Sequence, residues 1–399
     1  MTLEPTHEAA ASLPGEVVGF HHRSAQTAAA IATRTLLSLG LIALSAAAFR
    51  LSLRPISDTA PVPGSQVRQQ GAPLAGATST VVSLQSTWAN LTVDSASLPG
   101  QAMVGRITLP DTDRVILTAA RQGETLKSAY AVHSSSTGYS EPFRIGWNGN
   151  GLQFNSAGSN RLGLWTVQIG REVPSDLRLS STSGDMHLKL ANVKLKGLDL
   201  STRSGDVQLD LPGIVSNQLQ PRPAQTGPGN VNIRSLSGDL DVTSGRADGR
   251  PAAQGAAAAS TFKSHSESGG QQLDLSGTAY TNVAVGSATG DLDLTTPGVP
   301  ELVATVTTLS GNQTVTVPSQ VKRGSLNLSS TVGDIRLWVP AGTAVRVTVS
   351  ARIGDVSAPE GYTRQGDTYL SPAAKTSDSP LDITASTLSG DVTIGEASK

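Results

Sequence analysis

Apolar residues recur at every second position over much of the chain after residue 80, in short runs broken by Gly, Ser, Thr and Asn. Leu292 and Leu294, then Val303 and Val306, make one pair of runs. Val315 and Val317, then Leu326 and Leu328, make the next. A period of two marks strands with one buried face. A helix would need apolar residues three or four apart, and the abundant Gly, Thr, Val and Pro oppose it. The expectation is an all-β chain.

Between the runs a short motif returns: Ser/Thr-rich residues, a Gly-Asp pair, then alternating apolar residues. It stands at Gly184-Asp185, Gly205-Asp206, Gly238-Asp239, Gly290-Asp291, Gly333-Asp334, Gly354-Asp355 and Gly390-Asp391. Degenerate copies carry Gly269-Gly270 and Gly311-Asn312. Successive glycines are 21, 33, 31, 21, 21, 22, 21 and 36 residues apart. The long steps hold insertions at 213–230, 245–260 and 359–380, rich in Pro, Ala or Gly. A fixed period of this length is the signature of a stacked repeat. The expected fold is a β-solenoid over 176–396, a β-helix-like stack with about 21 residues per coil.

Glycine suits the corner of such a coil because it takes positive φ without penalty. The aspartate after it is expected to cap the turn by accepting nearby backbone N–H groups. One coil cannot bury enough apolar surface to offset its lost chain entropy, so stability must come from stacking.

Residues 80–175 read as strands without a clear period and are expected to cap the stack. Trp88, Trp147 and Trp165, with Phe143 and Phe154, would close that end, since large rings are mostly buried. Residues 50–79 read as a Pro/Gly/Ser linker. Before it, Thr35 to Phe49 is free of charge, and extension back to Ala25 gives a segment long enough to span a bilayer. Residues 25–49 are therefore expected to be a single-pass transmembrane helix after a tail at 1–24. The chain would sit in the cytoplasmic membrane with the solenoid outside the cytoplasm. The alternative is a signal peptide cleaved after Ala46-Ala47-Ala48, leaving a secreted or periplasmic protein.

Composition narrows the function. Thirty Lys+Arg against 31 Asp+Glu leave a net charge of −1, which gives no general pull toward nucleic acid. With no cysteine there is neither disulfide nor thiolate chemistry. His187 and His265 stand alone and read as solvent-facing, and no P-loop or nucleophile–base pattern is present. The alternative function is an exported carbohydrate-binding or polysaccharide-cleaving β-helix protein; cleavage would need paired carboxylates and stacking aromatics, which are sparse after residue 176. The repeated aspartates could form a ladder that calcium would relieve, but the spacing is not that of calcium-binding nonapeptides. No enzyme, metal or other cofactor is expected. The expected partner is an envelope protein or glycan, beside the membrane itself.

The stretch LWTVQIGREVPSDLRLSSTSGDMHL, ending in the Gly184-Asp185 copy, resembles the bacterial putative-adhesin domain of the toast-rack superfamily. LSSTVGDIRLWVPAGTAVRVTVSARIGDVSAPEGY, with Gly333-Asp334 and Gly354-Asp355, is similar to the C-terminal domain of LiaF-type cell-envelope stress proteins of the same superfamily. The resemblance covers about Val81 to Ile394. It implies a β-helix-like stack and a non-catalytic envelope role in adhesion or membrane-stress signalling, with no catalytic residues to carry over.

Overall fold

A computed structural model describes residues 65–110, 113–134, 144–148, 151–155, 163–213, 229–244 and 260–397. The tail 1–24, the expected transmembrane segment 25–49 and the bulk of the first two insertions lie outside the described residues. Every regular element described is a strand except one short 3-10 turn at Pro372–Lys375. No helix among the described residues is long and apolar enough to cross a membrane.

Each coil contributes two strands, one before its corner glycine and one after. In the Gly205 coil these are Leu195–Thr202 and Val207–Leu211; in the Gly238 coil, Asn230–Ser235 and Leu240–Ser244. Strands before the corner pair in parallel into a leading sheet, and strands after it into a trailing sheet. Leu200 lies beside Ile233, and Leu209 beside Val242. The period-two pattern sets which side chains enter. Leu198, Leu200 and Thr202 are buried, whereas Asp199, Ser201 and Arg203 between them are exposed. The apolar core thus runs between the two sheets, from Val82 through Leu200, Ile233, Val306 and Leu328 to Ile394.

The cap is built into the stack. Strand Ser79–Ala96 bends at Ala89-Asn90 and forms a coil of its own, pairing with Ser175–Ser183 on one sheet and Met186–Lys189 on the other. Beyond it the leading sheet gains Thr125–Ser134 and Asp113–Gln122. The trailing sheet gains Gly163–Gly170, Gln101–Pro110 and Ser65–Pro73. The last of these corrects the expected linker: Ser65–Pro73 pairs antiparallel along its length with Gln101–Pro110, burying Ala72. Arg68, Gln69, Gln70 and Gly71 make the strand polar, so no apolar alternation marks it in the sequence. Trp165 fills this end as a buried residue. Trp147 and Phe154 lie on the separate hairpin Arg144–Asn148 with Gly151–Asn155.

The other end departs from a simple winding path. Leucines and valines of the Gly390 coil lie between those of the Gly333 and Gly354 coils: Leu328 neighbours Ala385, and Ala385 neighbours Val349. The trailing sheet repeats this, with Ile335, Val392 and Val356 in line. The later coil is therefore inserted between two earlier ones. The third insertion supplies the small strands Thr363–Gln365 and Thr368–Leu370, which cover the edge of Val345–Ile353.

Candidate binding surface

The Gly-Asp pairs form one continuous corner line. From Gly184 to Gly390 the corner glycines have φ between +113° and +143°, where side-chain-bearing residues are strained. Close approach adds a second demand. A Cβ on Gly205 would run into the carbonyl of Gly184, one on Gly238 into Gly205, and one on Gly290 into Gly269. No larger residue fits while the coils keep their spacing of about 4.8 Å.

The aspartates work between coils rather than within their own turn. Oδ1 of Asp185 accepts the Asp206 N–H at 3.0 Å, and Oδ1 of Asp206 accepts the Asp239 N–H at 2.9 Å. Asp239 holds the Gly270 N–H, and Asp291 holds that of Asn312. At the far end the order follows space, not sequence: Asp334 accepts from Asp391, and Asp391 from Asp355. Asn90 and Asn312 fill the same place with an amide oxygen. Gly270 has no side chain to offer the next coil, so the line breaks there. The degenerate copies thus divide a ladder that would otherwise repel itself. Among the described residues no three acidic or histidine side chains are grouped so as to hold a metal ion.

Inside the corner runs a second line, of buried hydroxyls three residues before every corner glycine except Gly354, where Ala351 stands. Those of Ser181, Thr202 and Ser266 donate to the carbonyls of Ser183, Ser204 and Ser268. The degenerate copies carry a different interior. Gln271 and Gln313 follow them as buried residues, and Nε2 of Gln271 reaches from the trailing sheet to the Gly286 carbonyl at 2.6 Å. Gln313 makes the equivalent reach to the Ser329 carbonyl at 2.6 Å.

Outward positions carry the variable chemistry. Four residues before each corner glycine, the leading sheet presents Ser201, Arg234, His265, Gly286 and Thr307 on neighbouring strands. Gly286 leaves a gap in this column, against which the ring of His265 rests; a Cβ there would meet His265 Nδ1 at 2.9 Å. The gap is the floor of a shallow depression of about 550 Å³, lined among others by Arg234, Lys263, His265 and Thr305. A second depression of about 400 Å³ continues from it past Arg203, Arg234 and Ser201 to Ser180. Together they form a groove crossing several coils. The same coils turn the opposite charge outward on the trailing sheet, where Asp210, Asp241, Asp274 and Asp293 occupy outward positions. Burial pushes the Asp293 carboxyl above its ordinary value. At the inserted end, Leu309, Val332, Leu388 and Ile353 form an exposed apolar strip beside the corner.

The sequence-expected residues Gly184 to Asp391 are therefore brought into one line, but that line holds coils together. His187 and His265 are exposed, as expected, yet His265 belongs to the groove. Aligning the copies on their glycines would have placed Arg234, His265 and Gly286 in one column. In linear sequence they stand in separate copies and draw no notice.

A family model described as Toastrack DUF4097 matches residues 163–395. The chain belongs to the toast-rack family. A model of the N-terminal domain of toast_rack, DUF2154, matches residues 65–234, which include the Ser65–Pro73 strand. No curated protein matches the sequence. Solved structures similar to this toast-rack chain include a putative cell adhesion protein from Clostridium sporogenes, with 11% identity, a TM-score of 0.30, and coverage of 84% of this chain and 100% of that one. A putative adhesin from Bacteroides fragilis shares 12% identity over 84% of this chain and 99% of its own, with a TM-score of 0.31. One from Parabacteroides merdae shares 9% over 84% and 97%, with a TM-score of 0.20.

Proposed function

We propose that this toast-rack protein is a non-catalytic display scaffold of the cell envelope. In this reading residues 25–49 hold it in the cytoplasmic membrane, the stack lies outside the cytoplasm, and adhesion or envelope-stress contacts form on the outer sheet faces. The supporting observation is a division of labour along the repeat. Inward apolar positions, corner glycines and corner aspartates recur copy after copy and join coil to coil. Outward positions change from Ser201 to Arg234 to His265 to Gly286 within one column. A fixed frame with variable outward residues suits recognition by an extended face.

Protease treatment of intact cells tests the placement, using one epitope tag in the 245–260 insertion and another in the 1–24 tail. The stack tag is expected to be cut and the tail tag protected. Recovery of a protein beginning near Phe49 would establish secretion instead. Release of reducing sugar ends from cell-wall polysaccharide would overturn the non-catalytic assignment and favour a carbohydrate-cleaving protein.

A further inference from the structure

We infer that the groove on the outer face of the leading sheet binds a linear acidic polysaccharide. This rests on the display reading above and gives it a ligand class. Four basic side chains converge there from neighbouring coils: Arg203, Arg234, Lys263 and His265, all exposed. None of the ion pairs among the described residues involves them. Two acidic groups lie close by. Asp199, which accepts the side-chain amide of Asn232 at 2.8 Å and keeps its charge, and Glu267 at the rim oppose them.

The remaining lining identifies the ligand type. Hydroxyls of Ser180, Ser201, Thr305 and Thr307 offer donors and acceptors suited to a polyhydroxylated chain. No Phe, Tyr or Trp lines either depression, so the row of large rings on which single-stranded nucleic acid stacks successive bases is missing, His265 being the one ring present. Aromatic anchors of the kind that dominate protein interfaces are likewise missing from the lining. At Gly286 the floor of the groove is backbone flanked by the His265 ring and the Thr307 hydroxyl. Because the basic groups come from successive strands about 4.8 Å apart, a polymer running along the stack meets charge at regular intervals. Carboxylate and sulfate groups both satisfy this chemistry. Multiple weak contacts to one chain add through effective concentration.

The full-length chain in detergent is passed over immobilised polygalacturonate, dextran sulfate, neutral dextran and poly-L-glutamate. Binding to polygalacturonate or dextran sulfate is expected, the stronger of the two naming the anionic group, with a steep fall as salt rises. The combined variant Arg203→Ser, Arg234→Ser, Lys263→Ser should lose at least tenfold in affinity while its circular dichroism and melting temperature stay unchanged. Glu267→Gln should tighten binding about twofold by removing one of the two opposing charges. Lys189→Ser on the other sheet should have no effect.

Unchanged affinity in the combined variant would overturn the groove assignment. Equal retention on neutral dextran would overturn the requirement for negative charge while leaving the display reading intact. Equal affinity for poly-L-glutamate would move the ligand to acidic polypeptide and overturn the polysaccharide assignment. Absence of binding to all four surfaces would overturn this inference alone, because the display reading is judged separately by protease access and sugar release.

Discussion

Gly290 has φ of +124°, and a Cβ there would strike the Gly269 carbonyl, whereas Gly123 has φ of +61° with nothing within 4 Å. Gly290→Ala is expected to cost more than about 3 kcal/mol, because backbone strain and a clash with unyielding backbone add. Gly123→Ala should cost about 1–2 kcal/mol, the conformational penalty alone. Thermal unfolding of both variants checks this; equal losses would show that φ alone demands glycine. Asp206→Asn keeps the oxygen that accepts the Asp239 N–H and should be neutral within about 0.5 kcal/mol. Asp206→Ala should cost about 1 kcal/mol in a urea titration. The Tyr280 hydroxyl is buried without a hydrogen-bond partner among the described residues, and burial raises its pKa. Tyr280→Phe should therefore stabilise the fold by about 1 kcal/mol, read as a higher melting temperature. The glycine corner was legible from spacing and conformational freedom. The aspartate's true partner was not, because a turn-capping carboxylate and an inter-coil one are written identically in a single copy.

At the scale of elements, recurrence decided what sequence could reveal. Coils after residue 176 announced themselves because each repeats the last. The coil in Ser79–Ala96 escaped notice because Ala89-Asn90 stands where later copies have Gly-Asp, although Asn90 performs the same hydrogen bond. The polar strand Ser65–Pro73 had neither apolar alternation nor a repeat partner to betray it. At this end Glu172 anchors the turn around Leu98, accepting from Ser97 Oγ at 3.1 Å and the Leu98 N–H at 3.2 Å. Its own backbone N–H contributes most to holding its carboxyl below the usual range, with the Ser97 and Leu98 bonds and Arg171 assisting against a desolvation cost. A lowered native pKa means the stabilisation is complete above the unfolded-state value and disappears as pH falls through the native one. The Leu98 amide resonance should therefore shift on acidification below pH ~4.5, and Glu172→Gln should abolish that step. A step unchanged in the variant would assign it to another group.

At the scale of the molecule, the groove and the acidic outward positions of the trailing sheet put opposite charge on opposite sides of the same coils. Neither was legible from a net charge of −1, which averages the two. The inserted Gly390 coil was equally hidden, since local alternation and corner residues say which strands stack but not in which order. Its position gives it contacts on both sides. Deleting residues 381–397 should lower the melting temperature by at least about 5 °C and broaden the transition, since both neighbours lose an edge. An unchanged transition would mean that the Gly354 coil can settle directly on the Gly333 coil.

That interleaving also sets a timetable for synthesis. Earlier coils can dock on their predecessor as soon as they emerge, adding one layer at a time. Residues 345–357 cannot, because the surface they finally rest on is made only when residues 381–397 have followed. A nascent chain paused between these points would hold Val345, Val347 and Val349 without their permanent neighbour, a waiting edge open to premature pairing. The growing protein is then most vulnerable just before its last layer arrives.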